Sequence, residues 1–378
     1  ADRILASLET GIMQAQASML TQQQRAIVAN YLSDASESAQ QATDAGYCSA
    51  AANASAQPVL VADWGVDYQN TRDFGAKLTQ IDSTNASELE LDWVFAFPDA
   101  SRARAQPTLA GDTLFTADQH GVIYALAVDT GCIRWTASID AEVRSALVIG
   151  GNADGEADTL YFGDISGGVH ALDIESRQLL WSVRADEHPA TRITGTLRLH
   201  DGRLYVPVSS MEVVTAMDDA YECCTFRGSV VALDAASGDE IWKTYIVPPA
   251  VRQGLSRAGT QLHGPSGAPI WTSPAIDAAR GLLYVGTGEN YTRPTSEHSD
   301  AILALSLEDG ALEWSFQALA GDAWNAACAD GANCPTDTGP DYDFGASPIV
   351  TTTAATVSAQ LDSLIETAVT AFGMELGT

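Results

Sequence analysis

The segment Ala125-Leu-Ala-Val-Asp-Thr-Gly-Cys-Ile-Arg-Trp135 recurs as near copies at Ala171–Trp181, Ala232–Trp242 and Ala304–Trp314. Each copy opens on Ala-Leu, closes on Trp and holds a short polar turn between them. A strand, turn and strand unit that returns along a chain marks modules that bury their apolar faces only against one another. The pattern predicts an all-β fold, a β-propeller of four-stranded antiparallel blades. The seventh position is Gly in three copies, which suits a tight turn, and Arg177 in the second. The closing Trp is expected to be a large apolar side chain packed between neighbouring blades.

Composition narrows the function classes. The 378 residues are 46% hydrophobic, enough for a substantial core, and carry a net charge of -30. Such an acidic chain lacks the basic face that phosphate contacts need, so nucleic acid is excluded as a partner. No apolar run approaches a membrane span and no basic segment precedes an apolar one at the N-terminus; a soluble chain without a transmembrane segment is expected. The first residue is Ala, which suggests that an upstream segment is removed or left out. Six cysteines, Cys48, Cys132, Cys223, Cys224, Cys328 and Cys334, suit an oxidising compartment. Cys328 and Cys334 flank a short Gly-containing loop and are either bridged across it or free thiols.

Four regions follow from the patterning. In residues 1–34 an apolar stripe through Ile12, Met19, Ile27 and Tyr31 predicts helix, with Thr21 as an N-cap. Residues 35–57 read as a polar linker. Residues 58–350 hold short alternating strands such as Thr113–Ala117 and Leu282–Gly286. The repeats draw apart along the chain, while one blade needs roughly 40 to 45 residues. The later repeats therefore carry insertions, around Met211 to Phe226 and Tyr245 to Ile270, where binding residues tend to sit. Residues 351–378 form a non-repeat tail with a helix-like stretch, Leu361 to Phe372.

The repeats, together with Asp63-Trp64, Asn70-Thr71-Arg72 and Leu91-Asp92-Trp93, resemble the quinoprotein alcohol dehydrogenases. The strings Tyr221 to Gly228, Gly264 to Trp271 and Val285 to Tyr291 look most like the polyvinyl alcohol dehydrogenase branch. The resemblance implies an eight-bladed propeller, with about five blades in this chain, that binds pyrroloquinoline quinone (PQQ) and a calcium ion on its axis. It also implies an alcohol as substrate, cytochrome c as electron acceptor and a periplasmic or secreted location. Residues 8–34 resemble the C-terminal helix of a c-type cytochrome, with Met13 as a candidate axial ligand. The chain has no Cys-x-x-Cys-His, so haem c is expected only with an upstream domain.

Matched residue by residue, the family motifs make Glu212 and Glu289 calcium ligands, with Asn290 as the alternative if the loop is offset by one. Hard oxygen donors of this kind suit a calcium ion that polarises a quinone carbonyl. Asp322 matches the catalytic base and Trp271 the indole beneath the flat cofactor. Thr194 and Arg144 match residues that hold the cofactor carboxylates. Cys223 and Cys224 resemble the vicinal disulfide that covers PQQ in methanol dehydrogenases, although here the pair follows the calcium-ligand glutamate. Arg104 stands where the family has a cofactor-contacting glutamate. The match ends at Ala346–Val350, before the strand that supplies a cation to the quinone and before the remaining blades. A ring that does not close, with weak PQQ binding and poor turnover, is therefore expected. The alternative function is a non-catalytic PQQ-like repeat propeller, a protein-interaction scaffold as in outer-membrane assembly.

Overall fold

A computed structural model describes residues 2–9, 17, 20–29, 46–49, 57–152 and 154–351. Met13, most of the expected linker and the helix-like stretch Leu361 to Phe372 lie outside the described residues. Near the N-terminus, Asp2–Glu9 is helical, as are residues 22–29. Thr21 caps the second helix: its hydroxyl accepts from the Gln24 N–H at 3.3 Å, and the Gln24 amide oxygen accepts from the Thr21 N–H at 2.9 Å. This reciprocal pair satisfies two N–H groups that a helix start otherwise leaves without partners.

The rest is built of successive antiparallel sheets. The first comprises Val59–Val61, Thr108–Ala110, Thr113–Ala117, Val122–Ala127 and Ile133–Ser138. The second comprises Val148–Gly151, Ala157–Gly163, Gly168–Asp173 and Leu179–Arg184. The third runs through Arg198–His200, Arg203–Ser210, Ser229–Asp234 and Glu240–Tyr245, with Thr191–Arg192 on the far end of its long strand. The fourth comprises Ala275–Asp277, Leu282–Gly286, Ala301–Ser306 and Leu312–Gln317. Among the described residues there are four such sheets, where sequence patterning suggests about five. Trp93, the basis of the extra unit, lies outside any strand.

Each repeat forms the outer hairpin of one sheet, and all four have the same register. Ala125 faces Trp135, Ala171 faces Trp181, Ala232 faces Trp242 and Ala304 faces Trp314, each followed by a register shift. The small Ala leaves room for the indole across the ladder, which explains why the two are fixed in sequence. The seventh position has positive φ throughout: 68° at Gly131, 63° at Arg177, 78° at Gly238 and 72° at Gly310.

These glycines do more than turn the chain. A Cβ on Gly131 would meet the ring of Trp93, one on Gly238 the ring of Trp181, and one on Gly310 the ring of Trp242. The indole N–H of each then reaches a carbonyl in the next repeat: Trp93 to Val128 at 2.8 Å, Trp181 to Ala235 at 3.1 Å and Trp242 to Leu307 at 3.4 Å. Val128, Ala235 and Leu307 all occupy the fourth position of their repeats. Where Arg177 replaces glycine, its guanidinium lies over Trp135, 5.9 Å from the ring centre. Trp135 and Trp242 are buried and Trp181 half-buried, but Trp314 is 45% exposed. No repeat follows Ala304–Trp314 among the described residues, so no glycine hairpin covers this last indole; the expectation of burial fails there for that reason.

The core is accordingly layered between sheets. Phe115 and Trp135 pack with Leu160 and Phe162 between the first two. Tyr161 and Val169 meet Leu204 and Val206 between the second and third. Tyr205 and Trp242 meet Leu283 and Leu303 between the third and fourth. All six cysteines are in disulfides: Cys48–Cys132, Cys223–Cys224 and Cys328–Cys334. No helix among the described residues is long and apolar enough to cross a membrane.

Replacing Gly238 with Ala places a methyl group 2.8 Å from the Trp181 ring on a backbone of positive φ. We expect Gly238→Ala to lower unfolding free energy by about 1–3 kcal/mol in urea titrations, through strain and overpacking. Arg177→Gly should be close to neutral in the same assay.

Candidate active site

The axial ends of the sheets are joined by a relay of hydrogen bonds. The Ala146 N–H donates to Thr196 Oγ1 at 3.0 Å, the Thr196 N–H to Ser273 Oγ at 2.9 Å and the Ser273 N–H to Ser347 Oγ at 2.9 Å. These residues precede the inner strands of the second, third and fourth sheets and the segment ending at Val350. Residues 62–69 run past the same ends. The carbonyl of Ala62 accepts from the Ile149 N–H, that of Tyr68 from Ile276 and that of Gln69 from Val350.

Between these segments lies a cavity of about 370 Å³. Its walls bring together Trp64, Arg72, Arg104, Arg144, Thr194 and Trp271. The Arg72 guanidinium stacks 4.2 Å from the Trp64 ring centre. Arg144 lies 3.9 Å from Glu142, whose carboxylate is held mainly by Arg102 at 2.7 Å. Thr194 Oγ1 donates to the Trp271 carbonyl at 3.3 Å. The Trp271 ring is 37% exposed and rests on Gly345, where a Cβ would lie 2.9 Å from it. The cavity thus offers aromatic faces and three guanidinium groups within an otherwise strongly acidic chain.

The indole N–H of Trp271 donates to Asp343 Oδ2 at 2.8 Å and opens onto a second, acidic region. Glu289, Asp341 and Asp343 each present an oxygen within 4.8 Å of the others. Glu289 is buried, and its carboxyl is driven well above the ordinary range by desolvation and by the charge of Asp343. Burial, with repulsion from Asp322, Asp343 and Asp341, pushes Asp300 up to about 8. Burial, then Asp343 and Asp322, pushes Asp341 up to about 6. Asp322 is 2% exposed; its Oδ2 accepts from the Tyr342 N–H at 3.3 Å, while its Oδ1 has no partner. Neither carboxylate oxygen of the buried Asp300 has a partner in good hydrogen-bond geometry, although Ser299 lies close enough to offset part of the rise. Unpaired carboxylates are costly to bury, and a cation among them would remove the cost.

The structure therefore gathers Arg144, Thr194 and Trp271 in the cavity, and Glu289 and Asp322 in the acidic pocket beside it. Asn290 adjoins that pocket, but its amide is spent internally: Nδ2 donates to Ser299 Oγ at 2.5 Å and to the Asp322 carbonyl at 3.1 Å, while Oδ1 accepts from the Ser296 N–H at 3.0 Å. Glu212 is fully buried and joins neither group. Its oxygens accept from Tyr221 Oη and from the Thr225 and Phe226 N–H groups, all at 2.8 Å, with His188 Nε2 at 3.5 Å. Burial raises its pKa, but His188 and the two backbone donors outweigh that and hold it below the ordinary carboxylate value. Cys223 and Cys224, bridged and buried, pack with Phe226 and Tyr291 in the core and do not line the cavity.

Arg72 and Trp64 line the cavity, and Asp300, Asp341 and Asp343 the acidic region, although sequence motifs did not single them out as functional. The alternation Asp341-Tyr-Asp-Phe344 is the one local signal for the last two acids.

Comparison with known proteins shows what the chain is similar to. The family described as glucose/ethanol/alcohol dehydrogenase, beta-propeller domain, matches residues 207–338, and that described as outer membrane protein assembly factor BamB matches residues 72–259. A polyvinylalcohol dehydrogenase of Sphingopyxis sp. (strain 113P3) is 38% identical over 76% of this chain and 44% of its own length. A polyvinylalcohol dehydrogenase of Pseudomonas sp is 38% identical over 76% of the chain and 45% of its own length. The chain thus spans less than half the length of these relatives. The solved quinohemoprotein alcohol dehydrogenase of Comamonas testosteroni aligns with a TM-score of 0.56 at 22% identity, covering 72% of this chain and 43% of that one, and shares the fold. With its repeat register, layered core and matched segments, the chain belongs to the PQQ-dependent alcohol dehydrogenase family of β-propellers.

Proposed function

We propose that this chain binds PQQ in the arginine-lined cavity and a divalent cation, calcium by its donor set, in the adjoining acidic pocket, and that the site oxidises an alcohol. The observation that carries this reading is the junction of the two regions at the Trp271–Asp343 hydrogen bond. On one side lie guanidinium groups and aromatic faces, on the other buried carboxylates without partners.

The residues fit both groups. PQQ is planar and carries three carboxylates, so Arg72, Arg104 and Arg144 supply charge-assisted hydrogen bonds while Trp271 supplies a stacking face. Arg104, although it departs from the family pattern, adds positive charge to the same wall. Glu289, Asp341 and Asp343 offer the hard oxygens that calcium takes at about 2.3–2.6 Å. Glu212, with its oxygens already engaged, then serves to hold the loop at Thr225 and Phe226 beside the Cys223–Cys224 bridge. When bound, PQQ supplies a two-electron acceptor whose carbonyl a neighbouring cation polarises. Asp322 has one oxygen anchored by the Tyr342 N–H and the other free, which suits it to take the proton of a substrate hydroxyl.

The relatives named polyvinylalcohol dehydrogenase support a secondary or polymeric alcohol as substrate. Cytochrome c as acceptor and a periplasmic or secreted location accord with the resemblance and with cysteines that are all paired. A protein-interaction scaffold would leave the buried carboxyl groups of Glu289, Asp300 and Asp322 without a purpose, and is the weaker reading.

Two measurements test the proposal. With PQQ and calcium added, quenching of tryptophan fluorescence should report binding, and Arg144→Ala should weaken it by about tenfold. Asp322→Ala should retain that quenching yet lower secondary-alcohol-dependent reduction of an artificial acceptor by about 100-fold or more relative to the parent chain. Absence of quenching in the parent would refute the cofactor assignment.

The acidic pocket also sets a pH dependence. Asp300 and Asp341 have folded pKa values above their unfolded value of 3.8. Between about pH 4 and about pH 8 the folded state therefore binds more protons than the unfolded state, and stability falls as pH rises. In a chelator, the melting temperature should drop across this window. Asp300→Asn should flatten the drop, and calcium should reverse it at neutral pH.

A further inference from the structure

The fourth sheet leaves one of its faces open. Leu283, Val285, Leu303 and Leu305 point toward the third sheet and are buried against it. The alternate residues point the other way: Tyr284 and Ile302 are half-buried, while Leu312, Trp314 and Phe316 are 40%, 45% and 54% exposed. Strand register sets Ile302 opposite Phe316 and Ala304 between Trp314 and Tyr284, whose rings lie 5.7 Å apart. These side chains therefore form one apolar patch.

The other end of the stack shows how such a face is closed. Among the described residues no sheet precedes the first, and residues 91–97, which lie outside any strand, cover it instead. Trp93 sits over Gly131, and Phe95 and Phe97 meet the Tyr124 ring edge-on at 5.3 Å and 5.4 Å. A segment without repeats thus takes the place of a neighbouring sheet.

The chain itself leads to the open face. Ala146, Thr196 and Ser273 each stand two residues before the inner strand of their sheet, and Ser347 continues their relay two residues before Ile349. The Val350 N–H donates to the Gln69 carbonyl as those of Ile149 and Ile276 do to Ala62 and Tyr68. Residues 349–351 accordingly hold the place of an inner strand next to the fourth sheet. They lie on its open side, because Phe344 packs where a Cβ on Gly286 would be 2.6 Å from it, on the face that carries Tyr284.

Beyond Thr351, outside the described residues, the sequence runs on to Thr378. In Leu361-Asp-Ser-Leu-Ile-Glu-Thr-Ala-Val-Thr-Ala-Phe372 the apolar residues Leu361, Leu364, Ile365, Ala368, Val369 and Phe372 recur at the spacing of one helix face, with Asp362, Glu366 and Thr370 opposite. Fully extended, residues 352–360 would reach about 30 Å. A four-stranded sheet is about 15 Å across, and a helix over 361–372 would be about 18 Å long. Reach, length and apolar spacing all match the open face.

We propose that residues 361–372 form an amphipathic helix that packs over Trp314 and Phe316 and closes the fourth sheet. The tether favours this occupant over a second copy of the chain. A segment held within reach of its target competes at an effective concentration in roughly the millimolar range, and two chains of net charge -30 repel each other.

Hydrogen exchange read by mass spectrometry on the full chain tests the proposal. A free helix of this length is marginal in water, so slow exchange over 365–372 reports docking. These amides should exchange at least about tenfold more slowly than in a synthetic peptide of residues 355–376, in a chain that sediments as a monomer. Leu364→Asp combined with Ile365→Asp should return them to the peptide rate and speed exchange in Leu312–Gln317 by about tenfold, whereas Thr367→Lys, on the polar side, should change neither. Phe316→Asp, at an exposed position, should release 365–372 while the first three sheets keep their protection, which separates lost docking from misfolding. Exchange over 365–372 at the peptide rate in the parent chain overturns the proposal, as does protection there that survives Phe316→Asp. A concentration-dependent dimer that protects Leu312–Gln317 and leaves 365–372 unprotected overturns it too, and gives the face to a second copy.

Discussion

Arg198 is the side chain on which the axial site depends. It is fully buried on the inner strand of the third sheet, ion-pairs with Asp63 at 2.6 Å, donates from Nε to the Pro274 carbonyl at 2.7 Å and also contacts Asn70 Oδ1. Asn70 in turn donates to the carbonyls of Pro274 at 3.1 Å and Pro348 at 2.9 Å. One buried cation thus clamps four separate segments. Most of the cavity wall lies beside a clamped residue in sequence, Arg104 and Arg144 to Ala146 excepted: Trp64 next to Asp63, Arg72 next but one to Asn70, Thr194 to Thr196 before Arg198, Trp271 to Ser273 before Pro274, and Gly345 to Ser347 before Pro348. Burial opposes charge on both partners, raising the Asp63 pKa and lowering that of Arg198, and each partly offsets the other. Removing one member would leave an uncompensated buried charge, at a cost of about 3–5 kcal/mol. The clamp therefore fixes geometry more than it adds net stability.

The parts of this architecture that sequence reveals are those where one contact is repeated. Ala opposite Trp, and Gly under the preceding Trp, recur because every pair of neighbouring sheets solves the same packing problem; four copies make the solution visible. The clamp is a single contact and has no such signature. Arg198-Leu-His200 alternates polar and apolar residues like any half-exposed strand, and Arg198 is distinguished only by what it meets across the axis. The acidic pocket was hidden for another reason. In a chain with 49 Asp and Glu residues, two further acids near position 342 stand out only once the fold sets them beside the buried Glu289. Trp271, Thr194 and Arg144 were legible through motif similarity, and the cavity brings the three together.

Glu212 shows where a motif and its local environment part. A carboxylate that accepts from a phenol and two backbone N–H groups, with an imidazole nearby, has its lone pairs largely committed. Glu289 has the opposite character: it lies against Asp341 and Asp343, and its pKa rises where that of Glu212 falls. Two buried glutamates thus differ, one holding a loop and the other set against further acids, and the direction of the pKa shift distinguishes them.

The charge distribution orders how ligands meet the site. A net charge of -30 surrounds the protein with a negative potential that attracts cations and repels a tricarboxylate. At physiological salt that potential decays over about 8 Å, so a cofactor anion gains attraction only on reaching Arg72, Arg104 and Arg144 inside the cavity. A cation in the acidic pocket would lower the negative field at the Trp271 wall, because Asp343 belongs to both regions through its hydrogen bond to the indole. On the proposed assignment, cation and quinone would be coupled by electrostatics across one side chain, and each would favour the other by the same free energy.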